Sequence, residues 1–251
     1  MTLDAQLVFL AVVLGAYFVG TALGFGTSIM CVTFGAQLMP LEVLLPIIAP
    51  LNVTLSLYLA VRHRHATEWR YLLRRVVPLV ALGIPLGMLL FNLREQGWLR
   101  LVFGLFVVVL ATLQLRLALR DDPKVDPVHP WLRPAFLFGG GVVHGLFTTG
   151  GPLIVYVMGR ELEDKGAFRS SIASMFVPMT TALIVDYALL GLFNRHTAEM
   201  IGLATIPFLI GIALGELAHH HIDNERFKRA VWALLAVGGV ILSVRAGLAI
   251  L

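Results

Sequence analysis

A single cysteine, Cys31, is all the thiol chemistry this chain has, so no intrachain disulfide can form. Its place inside the first apolar block reads as a small buried side chain. Charge is equally scarce: Asp, Glu, Lys and Arg make up 14% of the 251 residues against 58% hydrophobic, too little to clothe a surface in water. The ten-residue alternation of an outer-membrane barrel is missing, and so is any stretch polar enough to be a soluble domain. The opening MTLDAQ has no Lys or Arg, hence lacks the basic region of a secretory signal peptide, and the first apolar segment is expected to stay. The net charge of +4 does not imply nucleic acid, because basic residues in a membrane protein mainly report loop orientation.

What the sequence does have is apolar residues in blocks of about 20, the length of helix that crosses roughly 30 Å of hydrocarbon. The expected fold is all-α: a polytopic helical membrane protein. Its eight hydrophobic elements are expected at 5–37, 40–61, 73–92, 98–119, 134–158, 168–193, 199–218 and 229–250. The most polar interval, RDDPKVDPVHP at 120–130, contains three prolines and cannot continue a helix. It divides the chain into a first repeat at 1–119, a linker at 120–133 and a second repeat at 134–251. The halves resemble one another. Gly20 and Gly26 have counterparts at Gly145 and Gly151, Pro50 matches Pro178, Pro78 matches Pro207, and LGIPLG at 82–87 matches IGIALG at 210–215. The offsets run from 125 to 129, as a duplication with an insertion or two would leave them. The glycine pairs Gly83/Gly87 and Gly211/Gly215, four apart with no polar neighbour, read as packing notches.

Counting cations tests the topology. If elements one and five each cross once, the 19 Lys and Arg divide 11 inside against 8 outside. If both enter and return as hairpins, the division becomes 15 to 4, with the cluster RHRH at 62–65 and Arg70, Arg74 and Arg75 on the inside. The second arrangement also makes the two halves inverted relative to one another, as in many secondary transporters.

Elements one and five are interrupted by polar and special residues. TTGGP at 148–152 reads as a helix start: Thr148 or Thr149 as cap, Gly150 and Gly151 for the turn, Pro152 in the first helical position. Broken backbone in mid-membrane is tolerated only where it faces protein or a cavity. A helix beginning there presents free N–H groups and a positive dipole end, which suits an anion. The matching segment supplies Gly24 and Gly26 followed by Thr27 and Ser28; opposed, the two ends would make one cradle. Small-residue packing is the competing account of these glycines.

His144, an ionisable residue inside the membrane, reads either as anion ligand and proton carrier or as a structural hydrogen-bonding group, and both readings stay open. Asn52 and Thr54 after Pro50, and Thr180 and Thr181 after Pro178, are candidates to complete the lining; interhelical hydrogen bonding is their alternative. Asp186 is a candidate proton-coupling carboxylate or a snorkelling interfacial residue. The run HHH at 219–221 carries no metal expectation, because adjacent helical histidines point about 100° apart and no partner spacing completes a tetrahedral set. No cofactor is expected. The expected partners are a small anion, the lipid bilayer and a proton, with the oligomeric state open.

The ordered set of GFGTS, HGLFTTGGP, the EWR at 68–70 leading into P-x4-GIPLG, and the closing LGELAHHHIDNERFKRAVWALLAVGGVIL resembles the sulfite exporter TauE/SafE family, also called the toluene sulfonate uptake permease family. The resemblance covers nearly the whole chain. It implies a bacterial or archaeal inner-membrane secondary carrier for sulfur-containing anions such as sulfite, thiosulfate, sulfonates or sulfoacetate. The residues themselves speak only for negative charge. With no Lys or Arg in the mid-membrane parts of elements one, two, five and six, the site is expected to hold its anion by dipoles, weakly enough to release it. Rival readings are a passive anion channel and an intramembrane protease built on Ser28 and His144.

Overall fold

The structure is a computed structural model that describes residues 3–23, 26–93, 96–118, 128–162, 164–218 and 224–250. Every regular element among them is helical: α1 Leu3–Leu23, α2 Thr27–Gly35, α3 Leu41–Arg62, α4 Trp69–Tyr71, α5 Val77–Leu93, α6 Gln96–Ala118, α7 Leu132–Phe147, α8 Gly151–Glu161, α9 Lys165–Leu189, α10 Arg195–Ala218 and α11 Asn224–Ile250. A wide π turn, Leu72–Val76, joins α4 to α5. Seven helices among the described residues are long and apolar enough to cross a membrane: α1, α3, the α4–α5 run Trp69–Asn92, α10, and the greater parts of α6, α9 and α11. Both interrupted elements are split where the sequence predicts, element one between α1 and α2 and element five between α7 and α8. The expected linker falls largely outside the described residues, as do Gly24 and the run at 219–221.

The chain forms two compact units. One comprises Met1–Ile47, Arg94–Pro123 and Arg195–Leu251; the other comprises Ile48–Leu93 and Lys124–Asn194. Each draws elements from both sequence halves, so the compact units cut across the division at 120–133.

In the unit holding α5, α7, α8 and α9, α5 and α7 touch backbone to backbone. A Cβ on Gly83 would lie 2.8 Å from the Val142 amide nitrogen and nearer still to the Phe138 carbonyl oxygen; one on Gly87 would lie 2.8 Å from Gly145 Cα. In the other unit α10 meets α1 in the same manner, Gly211 against the Leu14 carbonyl oxygen and the Phe18 nitrogen, Gly215 against the Phe18 oxygen and the Ala22 nitrogen. Tyr17 and Phe208 lock that pair edge to face at 4.7 Å. These four glycines are packing notches, as their spacing of four predicts: apolar helices without a hydrophobic drive to associate gain most from close approach. The contacts also share a register. Gly83 and Gly211 are 128 apart, as are Gly87 and Gly215, while their partners Phe138 and Leu14, Val142 and Phe18, and Leu146 and Ala22 are all 124 apart. A third close pair, α6 with α11, packs through Gly104, Gly239 and Ser243.

Candidate functional site

Helices α7 and α8, at 16 and 11 residues, are each too short to cross. Phe136 stacks on Tyr156 with ring centroids 4.9 Å apart, Gly140 faces Ile154, and Arg133 pairs with Glu161. Partner numbers rise on α8 as they fall on α7, so α8 folds back along α7 as an antiparallel hairpin. Its tip is Thr148–Gly150. At the open end the Arg160 guanidinium lies 3.6 Å over the Tyr156 ring.

Two residues force the tip. Thr148 ends α7 in the left-handed region at φ 56°, its N–H donating to the His144 carbonyl oxygen at 2.7 Å. That conformation is unfavourable for a β-branched residue and persists only where the surroundings fix it. The Thr148 hydroxyl shares a 3.1 Å hydrogen bond with the Tyr187 hydroxyl of α9, and both residues are buried. Gly150 is held by lack of room: a Cβ there would sit 2.7 Å from His144 Cβ and closer to the Gly140 carbonyl oxygen. A Cβ on Gly151 would meet only the Phe176 ring, at 3.4 Å, an ordinary contact. Tyr187→Phe removes one buried hydrogen bond and leaves the threonine hydroxyl short of a partner, so it is expected to cost about 1–2 kcal/mol. A lowered Tm in detergent with uptake per folded molecule kept is the result that checks it.

The start of α8 differs from the sequence expectation in two respects. Neither threonine caps it: the N-cap is Gly150, with no side-chain cap, because Thr148 is used to close α7. The helix begins at Gly151, which puts Pro152 second rather than first. Ile154 N–H reaches the Gly150 carbonyl at 3.4 Å, Pro152 has no N–H, and the amides of Gly151 and Leu153 have no hydrogen-bond partner among the described residues. Thr149, Gly150 and Pro152 are buried here and Gly151 half-buried.

His144, 1% exposed, spans the break. Its Nδ1 accepts from the Gly150 N–H at 3.4 Å, which leaves the proton on Nε2, 3.4 Å from the Thr180 hydroxyl. The ring lies 5.5 Å from that of Phe176. His144, Thr148 and Thr180 are thus brought together, with Phe176 and Tyr187 added by the fold. The last two went unread in the sequence, although 176, 180 and 187 form one helical stripe with Thr180 in it.

The remaining candidates are placed as follows. In the other unit Gly26, at φ 98°, is the N-cap of α2, also without a side-chain cap; Thr27 is buried against Gly20 and Ser28 is half-buried. Asn52 is buried on α3. Thr54 and Thr181 are both exposed, and each hydroxyl donates at 2.7 Å to the carbonyl one turn back, Pro50 and Val177 respectively. A threonine in a helix finds that oxygen one turn back within its own helix, which satisfies the hydroxyl locally. Asp186 is half-exposed on α9.

The chain thus combines span-length apolar helices with an uncapped helix start in a polar break. The sequence profile of the family described as sulfite exporter TauE/SafE matches residues 8–242. The chain belongs to that family. A relative in Comamonas testosteroni, described as probable inner membrane transporter protein TsaS, is 24% identical over 177 residues, 70% of this chain and 72% of the relative. No solved structure matches. As a TauE/SafE protein the chain is a multi-pass membrane transporter and not an enzyme, which sets aside the protease reading of Ser28 and His144.

Proposed function

We propose that this TauE/SafE protein is a secondary carrier of sulfur oxyanions or organosulfonates in a bacterial or archaeal inner membrane, and that the start of α8 binds the anion. The observation that carries the reading is the uncapped N-terminus of α8 with the amides of Gly151 and Leu153 unpartnered among the described residues. Oriented amides at a helix start offer an anion both donors and the positive dipole end. The nearest charges on the hairpin, Arg133, Arg160 and Glu161, lie at its open end, about 15 Å away by helical rise. A dipole site of this kind holds an anion without trapping it. Thr149, Thr180 and Asn52 are the proposed polar lining; Gly26, Thr27 and Ser28 at the start of α2, in the other unit, are proposed as anion donors in their own right. The shared 124-residue register, which also relates the N-caps Gly26 and Gly150, supports a duplicated chain.

Proton coupling runs through His144 in this reading, with Asp186 as the second candidate. A proton arriving on Nδ1 removes the acceptor of the Gly150 N–H, frees that amide toward the anion and adds a positive charge beside it. Proton and anion then favour one another's binding, reciprocally. Affinity for the anion rises as pH falls.

His144→Asn separates the roles, because its amide oxygen can still accept from Gly150 while nothing titrates. In proteoliposomes loaded with sulfite or an arylsulfonate, the variant is expected to keep exchange within roughly tenfold, about 1.4 kcal/mol. Accumulation driven by a pH gradient is expected to be lost. An unchanged pH profile removes His144 from coupling. Saturable flux with counterflow supports a carrier, whereas current without counterflow makes the protein a channel.

A further inference from the structure

We infer that the basic strap of residues 62–75 is a docking surface for anionic phospholipid headgroups. Arg62, Arg64, His65, Arg70, Arg74 and Arg75 are all exposed on this stretch, and Glu68 is its one acid. The strap begins at the last residue of the span-length helix Leu41–Arg62 and runs into the start of the next, Trp69–Asn92. Its cations therefore stand at the level where headgroups lie. Trp69 and Leu73 are 54% and 60% exposed beside them, an aromatic and an aliphatic side chain placed to enter the interface while the guanidinium groups meet phosphate. The π turn Leu72–Val76 sets this up: Leu72 and Val76 are buried, and the wide turn displays Leu73, Arg74 and Arg75 together on the outside. Arg70 and Arg74 have no carboxylate partner among the described residues, so their donors are available to phosphate.

The strap is also held in shape. The Thr67 hydroxyl bonds Ser170 Oγ at 2.5 Å and approaches Ser174 Oγ at 3.3 Å, Ser170 Oγ donates to the His63 carbonyl at 2.9 Å, and the Glu68 N–H donates to Ser171 Oγ at 3.0 Å. Ser170 and Ser171 are fully buried at the start of α9. This serine latch pins the inner edge of the loop and leaves the cationic edge outward, so headgroups meet a preformed row of charges rather than a coil that must first be ordered.

The test is lipid selection by purified protein. Wild type is reconstituted in vesicles of phosphatidylcholine mixed with phosphatidylglycerol, re-extracted in detergent, and its retained lipid weighed by class. Phosphatidylglycerol is expected to be enriched, and Arg74→Gln is expected to lower the enrichment about fivefold, the share of one basic residue near an anionic surface. Ser170→Ala is expected to lower it less. Arg195→Gln, an exposed arginine paired with Glu199 elsewhere, is expected to leave it unchanged. Absence of enrichment overturns the inference, and so does an equal loss in Arg195→Gln. Displacement of the lipid by millimolar inorganic phosphate would assign the strap to a free anion instead, and also overturn it. None of these readouts requires transport, so they stand or fall apart from the α8 site.

Discussion

Gly150→Ala is expected to reduce transport at least about a hundredfold while the protein still reaches the membrane. The methyl group has nowhere to go: it meets the Gly140 carbonyl oxygen and His144 Cβ, the latter at 2.7 Å, and both belong to α7. Relief requires the hairpin tip to open, which lengthens the Gly150 N–H to His144 bond and tilts the first amides of α8 away from their common target. Overpacking of this kind costs about 1–3 kcal/mol, and the upper part of that range suffices for two orders of magnitude in binding. Gly151→Ala is the matched control. Its methyl meets only the flexible Phe176 ring at 3.4 Å, so initial uptake into proteoliposomes is expected within about twofold of wild type. Wild-type rates in Gly150→Ala would mean that the break does not hold the anion.

Gly141→Val is expected to remove folded protein altogether. A Cβ on Gly141 lies 3.0 Å from the Val80 carbonyl carbon, closer to its oxygen, and 3.1 Å from Gly83 Cα, so backbone faces backbone and no side chain can move aside. Separating α5 from α7 by a side-chain radius forfeits the packing along their whole contact. The loss is expected to exceed about 3 kcal/mol, beyond what most single substitutions cost. Gly202→Val is the comparison, because nothing lies within 4 Å of a Cβ there. Thermal unfolding in detergent should place Gly202→Val near wild type and leave no cooperative transition for Gly141→Val. Equal stability of the two would show that the α5–α7 contact is not needed.

Both sites were legible in different degrees. TTGGP announced a break because threonine, two glycines and proline serve no apolar span, and Gly83, Gly87, Gly211 and Gly215 announced close helix contacts by their spacing alone. The residue that carries the crowding is Gly150, however, whereas the pairing of Gly20 and Gly26 with Gly145 and Gly151 had put Gly151 opposite Gly26. The N-caps of α2 and α8 are Gly26 and Gly150, 124 apart, one less than the 125 between Gly26 and Gly151. Thr148 or Thr149 looked like the cap of α8; neither caps it, and Thr148 is the left-handed end of α7 with its hydroxyl bonded to that of Tyr187. Thr54 and Thr181 read as lining or as interhelical hydrogen-bonding groups, and their hydroxyls bond within their own helices. A hydroxyl reads alike in sequence whether it faces a neighbour or its own carbonyl.

By itself the sequence determined the solvent, the secondary structure and the location of the interruptions, because hydropathy and proline or glycine chemistry act over a few residues and need no partner. Only the tertiary structure decided which glycine is crowded, which partner each nitrogen of His144 meets, and that α5 packs on α7 while α10 packs on α1. Those outcomes depend on atoms from six to nearly two hundred positions apart in the chain, and each is set by how closely two backbones approach in the folded protein, which local composition does not encode.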